Sequence, residues 1–462
     1  MILKRITGIF LALAVAAGML LVPCSAAGKR VTIFGVSISV DAKRVCFVKG
    51  SGENSLNVWS AENDAPEFDA YYYIGDETVD IAEVAEKLPA LQSLSVVECE
   101  VKNAASFSEL ENLTKLGLYG NDGAEKLSFL KKLTKLKKFG YRNMNCESIA
   151  PVSYLKMLTE LSLDVPAKAV PELSPLQELT KLKSLRVGYG SFRDLSALKK
   201  MKNLRELEID NHYLTDISAL KKLKKLESLT LSRTENVKAA DLAELKQLSS
   251  LTLNNVKMRD FDSISKLEEL KSLSITGLTG ISVYRFYEAV GHMKSLETLT
   301  LCDVSIRNCD FLKGLTGLRV LALIFCDAED LSGLKNLKEL SQLVLTYNQI
   351  TDISALKNLK KLTVLDLGNN MVEDISAVSG LTELKTLNLN GNPIGDLTPV
   401  KKLKKLEYLG ISGAYFADPA PILKLTGLRE LFAPDSMIDG EFAEKFNQIN
   451  PECEITYEWN LY

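Results

Sequence analysis

The residues that usually do chemistry are scarce in this sequence. Histidine occurs twice, as His212 and His292, and neither stands beside a serine, cysteine or acid in a recognisable nucleophile arrangement. No G-x-S-x-G, no phosphate loop and no H-E-x-x-H occurs. An enzyme is therefore not expected, nor is a cofactor. Cysteine is present but unordered. Eight cysteines, with no C-x-x-C spacing, form neither a metal site nor a disulfide scaffold. Cys46, Cys99, Cys146, Cys302, Cys309, Cys326 and Cys453 read instead as small core residues, with few or no disulfides. Charge of one sign is also missing. Fifty-six basic against 59 acidic residues give −3, which does not point to nucleic acid as a partner.

Long apolar runs are absent except at the start. Lys4 and Arg5 precede the apolar stretch Ile9–Val22, and Pro23-Cys24-Ser25-Ala26-Ala27 follows with small residues suited to cleavage. The expectation is a secretion signal over 1–27, since the run is short for a membrane span. Membrane contact would then come only through the uncleaved signal. Pro23 occupies the place where a small residue would precede a lipidated cysteine, so Cys24 is not expected to carry lipid. With no sorting motif or anchor helix before Tyr462, the mature chain is expected outside the cell, free or held at a surface by non-covalent contacts.

What the sequence does have is a period. From Leu340 it runs LSQLVLTYNQITDISALKNLKK, then LTVLDLGNNMVEDISAVSGLTE, then LKTLNLNGNPIGDLTPVKKLKK, and leucine returns at 340, 362, 384 and 406, a step of 22. Apolar residues fall at offsets 0, 3, 5, 10, 13, 16 and 19 within each unit, and Asn at offset 8. Units begin at Leu91, Leu113, Leu136, Leu158, Leu182, Leu204, Leu226, Leu248, Leu270, Leu296, Leu318, Leu340, Leu362, Leu384, Leu406 and Leu428. A fixed period of this length means a solenoid, whose units cannot bury their own apolar faces alone.

Each position has a physical task. Alternation over the first six residues predicts a strand with Leu340, Leu343 and Leu345 turned inward and Gln342, Val344 and Thr346 outward. The amide of Asn348 can satisfy backbone groups of neighbouring coils. Asp352 or Ser354, where the convex return begins, suits a cap. The same Asp column, from Asp194 to Asp418, makes capping the expected role and calcium the alternative.

Departures from the period carry predictions. The unit from Leu270 has 26 residues and carries Val283, Phe286, Tyr287, Val290 and Met293 at helical spacing, which predicts two to three helical turns. The unit from Leu158 has 24 and holds Pro166, Pro171 and Pro175, which predicts an extended return. Offset 8 is not Asn through the middle units, where Met144, Pro166, Gly190, His212 and Thr234 stand. VTIFGVSISV and RVCFV read as strands of an N-terminal cap, with a turn in KGSGENS. Tyr71–Ile74 with Val79, Ile81, Val84 and Leu88 reads as a degenerate first repeat. Phe442 and Phe446 suit a final helix, and Cys453–Tyr457 a last strand.

L-x-x-L-x-L-x-x-N-x-I is the leucine-rich repeat pattern. The units from Leu318 to Leu428, with N-x-I-x-D-I-S-x-L at Asn348–Leu356, resemble the internalin-like class of bacterial leucine-rich repeats. The resemblance implies an α/β solenoid, a leucine-rich repeat horseshoe with a concave parallel β-sheet and short helical or irregular convex segments. One elongated domain is expected: 28–90 as cap and degenerate repeat, 91–440 as solenoid, 441–462 as a second cap. It also implies a non-enzymatic module that binds a protein partner on the concave strand face, as a monomer.

Two places on that face differ from the small polar residues found elsewhere. Val320, Ile324, Phe325, Val344, Tyr347 and Val364 form an outward apolar patch that the core does not require, and Tyr408 and Phe432 extend it. Such area marks interaction sites, and aromatics make anchors. The second place is charged: Asp164, Arg186, Glu206, Glu208 and Asp210, either steering a basic partner or simply solvated. Lysine clusters at 221–225 and 401–405 form a basic flank. The alternative function is therefore capture of an anionic cell-envelope polymer, against a flank balanced by nearby acids.

Overall fold

The computed structural model describes residues 30–34, 36–39, 42–49, 71–74, 78–142, 145–166, 170, 172–258 and 260–457. The expected secretion signal with Cys24, most of the KGSGENS turn, Met144 and Pro171 lie outside them. The chain falls into two compact units, Met1–Leu214 and Thr215–Tyr462.

In the first unit, Ser93–Val97, Lys115–Tyr119, Lys138–Arg142, Glu160–Asp164, Ser184–Gly188 and Glu206–Asp210 pair in chain order as one parallel sheet. Arg30–Ile33 and Val36–Ser39 form an antiparallel hairpin. The strand beside Ser93–Val97 is Arg44–Lys49, and Tyr71–Ile74 pairs on its far side. The order follows from burial. Val45, Cys46, Phe47 and Val48 are all buried, a continuous apolar run of the kind that suits a strand covered on both faces. The return of that first coil does come from the later segment. Val79, Ile81, Val84 and Leu88 are fully buried around a helix at Ile81–Lys87, capped by Asp80, which accepts from the Ala82 N–H at 2.9 Å.

The second unit repeats one theme. Strands Ser228–Ser232, Ser250–Asn254, Ser272–Thr276, Thr298–Cys302, Val320–Ile324, Gln342–Val344, Val364–Asp366, Thr386–Asn388, Tyr408–Gly410, Glu430–Phe432 and Glu454–Thr456 stack in parallel, each in register with the next. Leu343, Leu365, Leu387 and Leu409 align across it and are fully buried. Each such leucine contributes about 1.5–3 kcal/mol by leaving water. This is a leucine-rich repeat solenoid, and its core lies between the strands and their returns.

Asparagine ties the coils together. Asn370 donates through Nδ2 to the carbonyls of Leu345 and Leu367, both at 2.8 Å, and its Oδ1 accepts from the Ile350 N–H at 3.2 Å. Asn348, Asn392 and Asn121 make equivalent bonds. Buried backbone groups would otherwise go unpaired. Where Asn is missing, other donors stand in. The Cys326 thiol donates to the Leu301 and Ile324 carbonyls at 3.3 Å. Cys99 donates to Val97 at 3.1 Å, and Thr234 donates to Ser232 at 3.2 Å. In the unit from Leu204 the ladder residue is not His212 but Asn211. It is fully buried and bonds Phe192 O and Tyr213 N, each at 2.7 Å.

Most returns are single 3₁₀ turns, such as Ser354–Asn358, entered through an aspartate. Asp352 accepts from the Ser354 N–H at 2.7 Å, and Asp194, Asp216, Asp330, Asp374, Asp396 and Asp418 do likewise. The 26-residue unit has room for a true helix, Val283–Gly291, capped by Ser282. Phe286, Val290 and Met293 face the core, but Val283 is 47% exposed: it occupies the first helical position, and the buried face starts one turn later. The proline-bearing return is not wholly extended, because Ser174–Leu176 forms a 3₁₀ turn with Pro175 in its first positions. Proline fits there, where no intrahelical N–H is needed. At the end, helix Gly440–Ile449 is capped by Asp439 and buries Phe446 and most of Phe442, before the last strand pairs with Glu430–Phe432.

Candidate protein-binding face

The coils of the second unit turn sharply as they leave their strands, each through one left-handed residue at offset 7. In the second unit these are Arg233, Asn255, Gly277, Asp303, Phe325, Tyr347, Asn369, Gly391, Gly413 and Asp435. Gly, Asn and Asp are what that conformation ordinarily selects. Phe325 at φ 53° and Tyr347 at φ 57° are not. A bulky side chain there costs on the order of 1 kcal/mol or more, and these two repay none of it inside the core. They are 38% and 39% exposed. Their rings stack on each other, with centroids 4.3 Å apart and planes at 14°.

The other sequence candidates lie around this pair on the open face of the sheet. Ile324 and Val344 are buried to 5% and 7% exposure, and Val320, Val364, Tyr408 and Phe432 are half-buried. Register sets their neighbours. Val320, Gln342, Val364, Thr386, Tyr408 and Glu430 form one row, and Ala322, Val344, Asp366, Asn388, Gly410 and Phe432 another. Tyr408 and Phe432 thus stand beyond the Thr386–Asn388 strand from Val364. Burial pushes the Tyr408 phenol up to about 12, with Glu430 adding to it and its bond to Asn390 opposing. Asp366 and the left-handed column do not follow from the apolar spacing, though Gly, Asn and Asp recurring at offset 7 are a legible signal for the latter.

The charged candidates of the first unit are differently placed. Asp164 is only 5% exposed. Its Oδ2 accepts from Arg142 Nε at 2.9 Å and lies 3.2 Å from Arg186 Nη2, while Arg186 also pairs with Glu208. Arg142, which sequence spacing did not single out, completes the set. Gly188 gives the carboxylate space, since a Cβ there would collide with Asp164 Oδ1. Glu206 and Asp210 sit one strand on, in register with Ser184 and Gly188. The negative charge of Asp164 is taken up by two guanidiniums rather than presented to solvent.

Part of the basic flank is paired, and so are lysines near it. Lys221 meets Asp241 at 2.7 Å, Lys361 meets Glu339 at 2.6 Å, Lys405 meets Glu383 at 2.7 Å and Lys385 meets Glu407 at 3.1 Å. Among the described residues no group of His, Cys, Asp and Glu is arranged to hold a metal ion, and no helix is long and apolar enough to cross a membrane. His292 lies at a helix end with Nδ1 2.6 Å from the Glu288 carbonyl, and His212 packs on Tyr213.

The leucine rich repeat family model matches residues 338–394. No curated protein sequence matches the chain. Among solved structures, an internalin (inlF) of Listeria monocytogenes is similar, at 27% identity and a TM-score of 0.53, over 72% of this chain and 89% of that one. The LRR ectodomain of the plant membrane receptor kinase GASSHO1/SCHENGEN3 of Arabidopsis thaliana aligns at 21% identity and a TM-score of 0.57, over 80% of this chain and 47% of that one. A leucine-rich repeat protein of Leptospira interrogans aligns at 19% and 0.50, over 80% and 91%. The last two share the fold.

Proposed function

We propose that this chain, a leucine-rich repeat protein with internalin-like repeats, binds another protein outside the cell through the open strand face of its second unit. The observation that carries the reading is the Phe325–Tyr347 pair: two exposed, stacked aromatics held in a backbone conformation that disfavours them. Aromatic anchors surrounded by half-buried apolar neighbours are what protein interfaces use. Val320 and Val364 supply that surround, with the buried Ile324 and Val344 beside them, and the half-buried Tyr408 and Phe432 extend it. Export rests on the apolar stretch Ile9–Val22 and the small residues after it.

Capture of an anionic polymer by the lysine flank is the weaker reading, because Lys221, Lys224 and Lys405 already face carboxylates one coil away. The test is affinity capture from the native surroundings with wild type and Phe325→Ala/Tyr347→Ala, washed at low and high salt. A protein held by wild type through high salt and lost by the variant supports the reading. A polymer held by both and released by salt overturns it, since screening weakens exposed charge contacts.

A further inference from the structure

The charge on this open face is one-sided. In the repeats that begin at Leu296 to Leu428, offsets 2, 4, 6 and 7 carry Asp303, Asp366, Glu430 and Asp435 and no lysine or arginine, and Glu454 extends the row in the last strand. The chain as a whole is nearly balanced, and the lysines and arginines of these coils lie on the flank. The asymmetry belongs to the face.

Two of the acids are placed at an energetic cost. Asp366 is 8% exposed. Its Oδ1 accepts from the Gly368 N–H at 2.9 Å and from Asn388 Nδ2 at 3.0 Å, while no other described residue donates to the carboxylate. No cation offsets its burial, which holds its carboxyl above the ordinary range. Glu430 and Glu454 stand directly opposite one another in register, a like-charge pairing that sheets disfavour. Glu430 is pushed up, first by its partial burial and then by the carboxylate of Glu454 facing it. In the first unit the buried Asp164 has two arginines. Asp366 has none.

We infer that the partner presents a basic, extended segment to this face, with lysine or arginine side chains meeting Asp366 and the Glu430–Glu454 pair and apolar residues between them against the aromatics. The inference rests on the protein-binding reading above and adds the chemistry of the partner. A guanidinium or ammonium supplies the positive charge that Asp366 lacks, through a charge-assisted hydrogen bond to Oδ2. It can also stack on the tyrosine and phenylalanine faces. From Val320 to Glu454 the strands span about 29 Å, the length of about nine extended residues.

The probe is a fluorescein-labelled nonapeptide alternating arginine and leucine, with glutamine–leucine and glutamate–leucine counterparts, titrated by anisotropy against the full chain. The arginine peptide should bind at least about tenfold more tightly than the glutamine peptide, and the glutamate peptide should not bind. Asp366→Asn/Glu430→Gln/Glu454→Gln should lose that preference. Glu339→Gln/Glu383→Gln/Glu407→Gln changes net charge equally on the flank and should keep it. Melting curves check folding, and Glu430→Gln/Glu454→Gln, both exposed positions, serves alone if the triple variant does not fold. No binding of the arginine peptide, an unchanged preference in the face variant, or equal loss in the flank variant overturns the inference. Phe325→Ala/Tyr347→Ala separates the two ideas. If it abolishes binding of all peptides while the face variant changes nothing, the binding site stands and the basic partner falls. If the face variant matters and the aromatic variant does not, the aromatic anchor falls instead.

Discussion

Phe325 and Tyr347 stack at 4.3 Å on adjacent coils, each at a left-handed position that the coils beyond them fill with Asn369, Gly391 and Gly413. The solenoid does not need these rings. Replacing both with glycine relieves backbone strain of about 1–2 kcal/mol per residue. Against that stand the lost stacking, about 0.5–1.5 kcal/mol, and the greater freedom of glycine in the unfolded chain. Urea unfolding of Phe325→Gly/Tyr347→Gly should therefore match wild type to within about 1–2 kcal/mol. Leu343→Ala, in the core of the same coil, should lose about 2–5 kcal/mol.

Asn370 and Asn369 are neighbours with opposite roles. Asn370→Ala strands the carbonyls of Leu345 and Leu367 and the Ile350 N–H, so a loss of about 2–4 kcal/mol is expected. Asn369→Gly keeps the left-handed turn and should be near neutral. Equal losses at the two sites would remove the ladder from the account.

The cysteines give a reactivity pattern. Burial pushes the Cys326 and Cys309 thiols up to about 12, and Cys99, Cys146 and Cys453 to about 11. Of the seven described, Cys302 alone is half-exposed. A thiol-reactive dye at pH 8 should label Cys302 first and the others only after unfolding. Rapid labelling of Cys326 in the native protein would show that its bonds to Leu301 and Ile324 do not hold.

Asp366 makes stability depend on pH in a set direction. Its carboxyl titrates above the ordinary value when folded, because of burial opposed by Gly368 and Asn388, and Tyr408 is the titratable group facing it. A group with a raised folded value stabilises below its unfolded value and loses that contribution as pH rises through the folded one. Asp366→Asn should therefore melt higher than wild type at pH 7, and the gap should close toward pH 3. A variant that melts lower at pH 7 would mean that ionised Asp366 is compensated within the chain.

The period made most of the architecture legible: leucines at fixed offsets name the core, and Asp352 and its equivalents name the turn entries. The helix at Val283–Gly291 followed from four extra residues and their spacing. What escaped were features that offsets do not encode. Asn211 takes the ladder place by a shift of one residue. Arg44–Lys49 displaces Tyr71–Ile74 beside the first regular strand, because its side chains are apolar on both faces. At the candidate site, Phe325 and Tyr347 stood out as outward aromatics. The uncompensated Asp366 did not, since only packing shows whether an acid has a cation beside it.

The central claim is that the open face of the second unit, through its aromatic pair, holds a protein partner. The direct measurement is the affinity of the captured partner for wild type and for Phe325→Gly/Tyr347→Gly, by calorimetry on proteins of matched unfolding stability. The account predicts a loss of at least about a hundredfold for the glycine variant, the weight of two anchor residues. Affinity within about twofold of wild type would contradict it and place the partner elsewhere on the chain.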